Sequence, residues 1–502
     1  MKVEDIASYI LDVESRFNVD EWTIDGIHIW PFIRIQNYAL LSYKTIAAAP
    51  VNTRSSAYLR QIVAAKVVAS RAKLMDSGKE VADQETDIIF LSDGISFTRI
   101  NKYWYHKLCD PIAAEFLKRG LNSYRLELSH TFCIPRYSHS KFIQPQIDNI
   151  IIKSLARSKI LPGPFPNENW GDYDRFLSDE IVKKNFLSIP SKTEVRTKIS
   201  KIIQLRSFFV TQLRTIKPKA AFVVNFYGDD QMAFILACKW LNIPVTDIQH
   251  GVQGPLHLGY GQWRKVPDKG YAQLPDFFWV WSENEKRTID GWSHNSGAHK
   301  ALVGGNLFGD LWRDQTSELV LQLDKELEKA KPYKDKPLVL LTLSPHTESL
   351  MAETWMAVKE SQTCFNWLIR LHPSMVKDKK SISRAIRQMG IDHFEIDVSS
   401  DLPLFSLLRS VDIHVTSQSS CVIEASEFGV VSVISSEYGR SLYPDQIRNN
   451  EAFFCESRED IIAMIKDDRH RNKNRKDVSE VKTNPNAAID EILNSIKQMN
   501  DG

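Results

Sequence analysis

"KAAFVVNFYGDDQMAFILACKWLNIPVTDIQHG" occupies residues 219–251. "AAFVV" is a short apolar run that ends in turn residues, "QMAFILACKW" has the composition of a buried helix, and "PVTDI" restarts a β-prone run that halts at His250 and Gly251. Strand, helix and strand in succession imply two parallel strands joined by a crossover, because the helix returns the chain to the same end of the sheet.

The same order recurs on both sides. Upstream, "DIIFLSDG" from Asp87 is a strand, and "CDPIAAEFLKRG" is a helix with Pro111 near its start and Gly120 past its end. Downstream, "FFWVWSENEK" (277–286) is a strand running into a helix. A second series follows "ALVGGNLFGD", with strands predicted in "KPLVLLTLSPH" (336–346), "FNWLIRLHPS" (365–374), "HFEID" (393–397), "VDIHVTSQSS" (411–420) and "VVSVISS" (430–436). Helices are predicted in "KKSISRAIRQMG" and "SCVIEASEFG" between them, and "NAAIDEILNSIKQM" is a final amphipathic helix able to cross back. Two successive α/β halves, each a mostly parallel sheet covered on both faces, is the architecture this predicts.

Residues 1–80 read as helical. Within them "YLRQIVAAKVVASRAKLM" (58–75) sets Arg60, Lys66, Arg71 and Lys73 among valines and isoleucine, a pattern that fits either a helix docked with a solvated basic face or one lying on anionic lipid. "DSGKEVADQE" (76–85) reads as a linker.

Bulk composition agrees with a large enzyme-sized globule. With 502 residues and 43% hydrophobic content, the chain can fill two or three cores. Its 64 basic and 62 acidic side chains leave a net charge of +2, which gives no electrostatic case for nucleic acid as a partner. The six cysteines are scattered, with no CxxC pair, and are expected as reduced core thiols without a zinc site. "MKVEDIASYILDVESRF" carries acids too early for a secretory signal, and no uncharged apolar run reaches the roughly 18 residues that span a bilayer. A cytoplasmic protein, at most peripheral at a membrane surface, is expected.

Ligands of open α/β sheets bind beyond the carboxyl ends of the strands, and three stretches there carry polar residues that strands do not require. In "PVTDIQHGVQGPLHLGYGQW", Thr246, Ile248 and His250 share a face, and Gly251 lets the chain turn away. A neutral His250 could take a proton from an incoming hydroxyl, or it could merely hydrogen-bond its own loop. Gln249, His257, Tyr260 and Trp263 are candidate acceptor contacts beside it. In "LIRLHP" (368–373), Arg370 and His372 share a strand face and suit phosphate. In "VTSQSSCVIEASEFG", Thr416, Ser417, Ser419 and Ser420 cluster at a helix start, with Glu424 one turn on, able to accept both hydroxyls of a ribose. Capping would use one or two of these hydroxyls.

Weaker candidates are Ser344, His346 and Thr347 in "LTLSPHTES", and the aromatic loop "SDGISFTRINKYWYHKL" (92–108) with Arg99. Asp229 and Asp230 invite a metal, but capping of the following helix accounts for them better. Neither a GxGxxG nor a GxxxxGK[ST] loop is present.

Taken together, "DIQHG", "RLHP" and "TSQSSCVIEASEFGVVSVI" resemble the His-Gly, His-Pro and Ser-Ser motifs of bacterial GT-B-type glycosyltransferases of surface polysaccharide assembly, such as capsule and lipopolysaccharide O-antigen. The match spans roughly residues 220–440, with "FLSDG" at a first strand. The resemblance implies a helical segment at 1–80, a first Rossmann-like acceptor domain at 86–300, a second Rossmann-like donor domain at 301–480, and a C-terminal helix at 481–502. It implies His250 as base, His372 with Ser417, Ser419 and Ser420 on the donor phosphates, and Glu424 on the ribose. Relatives using sialic acid or Kdo place an acidic base in the first domain; Asp93 or Asp229 is the nearest counterpart here. The implied reaction is transfer from a nucleotide-sugar donor to a glycan or lipid-linked glycan acceptor, with no cofactor and no metal. Rival expectations are a CDP-polyol phosphotransferase of teichoic-type polymers, a sugar-nucleotide epimerase, and a non-catalytic glycan-assembly scaffold.

Overall fold

The computed structural model describes residues 3–46, 86–100, 102–129, 134–157, 163–294, 297–313, 317–330, 336–345, 351–469 and 484–501. The basic segment 58–75, the linker 76–85, Cys133, His346 and Thr347 lie outside them.

The first sheet contains β1 (Ile88–Ser92), β2 (Ser123–Glu127), β3 (Ser140–Phe142), β4 (Ala220–Val224), β5 (Val245–Ile248), β6 (Phe277–Val280) and β7 (Lys300–Val303). Their order is β7-β6-β5-β4-β1-β2-β3, and every neighbouring pair is parallel. The second sheet contains β8 (Leu338–Thr342), β9 (Asn366–Arg370), β10 (Ile413–Thr416), β11 (Ser432–Ile434) and β12 (Ala452–Phe454), in the order β9-β8-β10-β11-β12, again parallel throughout. The chain thus forms two Rossmann-like lobes facing a cleft, a GT-B-like arrangement.

Alternation along each strand feeds a core on both faces. Ile89 and Leu91 pack under the long helix Lys192–Ile216, while Ile88 and Phe90 pack against the helix Cys109–Leu117. Val339 and Leu341 face one core of the second lobe, Leu338 and Leu340 the other. The C-terminal helix Asn486–Asp501 does cross back: Ala488, Ile489, Ile492 and Ile496 are buried with Ile112 and Phe116 of the first lobe. Arg119 pairs with Asp490 (2.5 Å) and Lys300 with Glu491 (3.2 Å).

Three expectations are corrected. The N-terminal segment is not helical throughout: Thr23–Ile24 and Ile27–His28 form a hairpin between the helices Val3–Arg16 and Trp30–Ile46. Asp25 and Gly26 both have positive φ (48° and 75°), as a two-residue type I′ turn requires. "HFEID" makes only a single bridge, Leu368 to Glu395, because the Glu395 carboxylate accepts from the amides of Val398 (2.6 Å) and Ser399 (2.8 Å) and starts a helix instead. The aromatic loop is a hairpin, Phe97–Ile100 against Tyr103–His106. Among the described cysteines, Cys109, Cys238 and Cys455 are buried, Cys364 is exposed, and none is in a disulfide. No helix among the described residues is long and apolar enough to cross a membrane.

The N-terminal helices join the first lobe through a buried ion pair. Arg34 Nε donates to Glu14 Oε1 (2.7 Å), with both side chains fully buried. Trp30 Nε1 donates to the same oxygen (2.8 Å), the Arg264 amide donates to Glu14 Oε2 (2.8 Å), and Arg34 reaches the carbonyls of Gly261 and Gln262 (3.0 Å each). Removing one partner strands a buried charge. Arg34→Ala should therefore lower the unfolding free energy by about 3–5 kcal/mol in urea titration. Lys118→Ala, at the exposed pair with Glu115, should cost under about 1 kcal/mol.

Candidate active site

Each sheet reverses its strand order once, between β1 and β4 in the first lobe and between β8 and β10 in the second. Connections leave such a point in opposite directions and open a crevice at the carboxyl ends. In the first lobe, β1 runs out into Asp93, β4 into Asn225 (φ 66°) and β5 into Gln249 and His250. His250 is half-buried, with Nε2 3.2 Å from the Tyr227 hydroxyl. Burial lowers its pKa, and the charge of Asp93 works against that shift. The imidazole is thus neutral near pH 7, and Asp93 favours its protonated form.

Asp93 itself makes a poor base. Burial raises its pKa, but His106, the Ser96 amide and hydroxyl, and the Ile95 amide outweigh burial and hold it ionised. Asp229 is more firmly committed. Burial opposes its charge, yet Lys198 (2.8 Å) and Lys201 of the helix Lys192–Ile216 drive its pKa well below the usual range. It does not cap its own helix either, since the N-cap is Gly228. The capping account is replaced by this paired-lysine lock.

The loop after His250 is built differently from the expectation. Gln249 is fully buried: its Nε2 donates to the Gly251 carbonyl (2.9 Å) and its Oε1 accepts from the Trp281 amide (2.7 Å). Tyr260 is fully buried and donates to Asp247 Oδ2 (3.0 Å). Trp263 is buried beneath the Arg34 guanidinium, 4.0 Å from its ring. None of the three is available to an acceptor; they shape the loop. His257 is half-buried between Tyr38 and Tyr260, both 5.0 Å away between centroids, and burial lowers its pKa to about 3. Arg99 is exposed on the hairpin, on the strand face opposite Ile100.

In the second lobe, Arg370 donates to the carbonyls of Ser399 (2.7 Å) and Leu402 (2.6 Å), so part of its guanidinium holds the neighbouring backbone. His372 is half-buried; its Nδ1 accepts from the Ser374 amide (3.2 Å), and burial and then Lys107 lower its pKa. Ser344 sits half-buried just past β8. Thr416 donates to the Thr342 carbonyl (3.0 Å) and accepts from the Ser419 amide (3.2 Å), and Ser419 Oγ accepts from the Cys421 amide (3.3 Å). Two hydroxyls are therefore spent on the turn. Ser420 gives no cap, and Ser417 Oγ is fully buried without a partner among the described residues. The helix Cys421–Glu427 is only seven residues long, so the donor chemistry here rests on hydroxyls more than on a helix end. Burial pushes Glu424 up to about 7, against the pull of Lys107 and Arg370.

The two crevices meet. A Cβ on Gly251 would lie 3.8 Å from the side chain of Ser420. Val252 packs into the cluster of Val422, Ile434 and Tyr443. On the other flank, Tyr105 of the hairpin lies 5.9 Å from Phe308, which itself packs on Phe405 of the second lobe (5.6 Å). The end of β5, where His250 precedes Gly251, thus lies against Ser420 at the start of the helix Cys421–Glu427, whose Glu424 acts on the charge of Arg370 at the end of β9. Two groups escaped the sequence reading. Asp247, inside β5, is a fully buried acid that reads as one more strand polar residue. Lys107 lies just after the hairpin, inside the stretch 92–108 singled out for its aromatic residues, where the lysine itself drew no notice.

No family model matches the chain, and no curated protein matches it. Among solved structures, it is similar to UDP-GlcNAc 2-epimerase from Methanocaldococcus jannaschii in complex with UDP-GlcNAc and UDP, at 13% identity and a TM-score of 0.49, over 82% of this chain and 99% of that one. It is similar to UDP-GlcNAc 2-epimerase from Neisseria meningitidis bound to UDP-GlcNAc, at 12% identity and a TM-score of 0.48, over 82% and 100%. It also resembles the glycosyltransferase SnogD from Streptomyces nogalater, at 11% identity and a TM-score of 0.36, over 83% and 96%. These likenesses are distant, and the chemistry of the cleft follows from this chain's own side chains.

Burial pushes Asp247 up to about 8 in the folded chain, whereas an unfolded aspartate ionises near pH 4. Between those values the folded state binds the extra proton, so this group's stabilisation falls as pH rises. Asp247→Asn keeps an acceptor for the Phe226 amide and sets an amide NH2, a donor, against the Tyr260 hydroxyl oxygen, with no charge to gain or lose. It should lose less unfolding free energy than the parent between about pH 5 and pH 8; equal losses in urea titrations would remove this assignment.

Proposed function

We propose that the chain is a glycosyltransferase that moves a sugar from a nucleotide-activated donor to a glycan or lipid-linked glycan acceptor of a bacterial surface polysaccharide. The observation that supports this most is the approach of Gly251, just past β5 of the first sheet, to Ser420, just past β10 of the second. One side offers a neutral imidazole backed by a carboxylate. The other offers a guanidinium, a histidine, unspent hydroxyls and a carboxyl that titrates near neutrality.

In this reading the second lobe holds the donor. Arg370, His372 and the hydroxyls of Ser417 and Ser420 meet the phosphates, and Glu424 accepts the ribose hydroxyls. The acceptor hydroxyl approaches from the first lobe. Its oxygen bonds to the anomeric carbon as the bond from that carbon to phosphate oxygen breaks, and His250 takes the hydroxyl proton. Asp93 stabilises the imidazolium that results, while Arg370 and His372 carry the charge that passes to the leaving phosphate.

Thermal-shift measurements with CMP, CDP, UDP, GDP and dTDP test the donor site, since a nucleotide bound by the native state raises the melting temperature. No shift with any of them rejects the reading. His250→Ala should lower turnover by roughly a hundredfold or more with nucleotide affinity nearly unchanged, and His372→Ala should weaken nucleotide binding by calorimetry. Mass spectrometry of products separates the rivals: phosphorus added to the acceptor identifies a polyol-phosphate transferase, and conversion of donor without acceptor identifies an epimerase. Ionisation of Glu424 near 7 adds a pH signature. Binding of a ribonucleotide should strengthen as pH rises from about 6 to 8, and Glu424→Gln should flatten that profile.

A further inference from the structure

We infer that Lys107, carried by the first lobe, is a ligand for the anionic phosphate group of the donor held by the second lobe, so that one leaving group is gripped from both sides of the cleft. This inference rests on the nucleotide-donor reading above and adds to it a residue from the opposite lobe.

Lys107 is mounted rigidly. Its amide donates to the Ser96 carbonyl (2.9 Å), closing the base of the Phe97–His106 hairpin. Two residues on, Cys109 opens the helix Cys109–Leu117, whose Cys109, Ile112 and Phe116 are buried in the first lobe. Beneath the hairpin, the Asp110 carboxylate accepts from the His106 amide (2.7 Å) and pairs with Arg125, and Arg125 and Arg136 share Glu127. The side chain itself borders the crevice beside Ile248, Trp281, Asn306 and Phe308. Among the described residues its ammonium group has neither ion pair nor hydrogen bond.

Its charge nonetheless reaches across. Lys107 acts on the ionisation of His372, Cys421 and Glu424, three residues at the carboxyl ends of the second sheet. An unpaired lysine in a crevice shared with Ile248 and Phe308, at the edge where Gly251 approaches Ser420 and Phe308 packs on Phe405, is a point charge available to an anion between the lobes. A flexible ammonium also tolerates the shift of charge from ester to leaving group better than a fixed fork. Arg370 is partly engaged with backbone carbonyls, and Lys107 adds a second full cation.

Calorimetric titration of the full chain with the nucleotide that gives the largest thermal shift, and with the matching nucleoside, tests this. Lys107→Ala and Lys107→Gln should each weaken nucleotide binding by roughly ten- to a hundredfold and leave nucleoside binding unchanged. Lys107→Arg should restore most of the affinity. In the parent, raising the salt concentration should weaken nucleotide binding more steeply than in Lys107→Gln. Equal nucleotide affinity in parent and Lys107→Gln would overturn the role of Lys107 while leaving the donor site standing. Parallel loss of nucleoside and nucleotide in both variants would overturn it as well, marking a structural effect. A parent that binds no nucleotide would overturn both readings.

Discussion

Everything in the cleft depends on one topological constraint: in a parallel sheet the crossovers are right-handed, so the chain covers both faces only by reversing direction along the sheet. Where β1 is followed on one side by β2 and on the other by β4, the outgoing loops part at the carboxyl edge. The second sheet repeats the device between β8 and β10. Neither gap needs a special motif. They are consequences of winding, and the side chains at their rims are free to be polar because no strand follows to bury them.

What surrounds the gaps is stiff where it positions and loose where it would bind. The loop that follows His250 is clamped by Gln249, by Tyr260 on Asp247 and by Arg34 from the N-terminal helices. Across the second sheet, Thr342, His414 and Ser432 form a buried chain, with His414 Nε2 2.8 Å from the Thr342 hydroxyl and Nδ1 2.9 Å from that of Ser432. It ties β8, β10 and β11 together near the carboxyl ends of the second sheet. By contrast, among the described residues the buried Ser417 hydroxyl and the Lys107 ammonium have no fixed partner, and the Ser420 hydroxyl does not cap its helix. That division suits a site whose framework is satisfied internally and whose remaining polar groups await a ligand.

Much of this was legible in the amino-acid sequence, for reasons that locate what was not. Parallel strands buried on both faces are continuous apolar runs, so "AAFVV" and "LVLLT" stand out, and the polar residues that end them point to the carboxyl edges. Short-range rules failed where distant parts of the chain decide. Gln249 and Tyr260 look like loop residues free for contact, but their partners are Trp281 and Asp247, brought close only by folding. Asp229 looks like a cap until the helix Lys192–Ile216 supplies two lysines. Glu395 sits in a β-like run yet starts a helix, since its carboxylate has two amides within reach. Asp-Gly at residues 25–26 was a readable hairpin signal lost inside a helical pattern. Lys107 sat in a stretch noticed for its aromatic rings, and a lone lysine there has meaning only through what lies opposite.

The return of the helix Asn486–Asp501 to the first lobe means that the second lobe is attached at two places, where it departs after β7 and where the chain comes home. At the outgoing attachment Gly304 lies so tightly against the Trp279 indole that any Cβ there would overlap it, and the Gly304 and Gly305 amides both donate to the Val280 carbonyl (3.0 Å each). A departure held this closely, with no room even for a methyl group, leaves the first few residues of the second lobe fixed to the sheet they have just left.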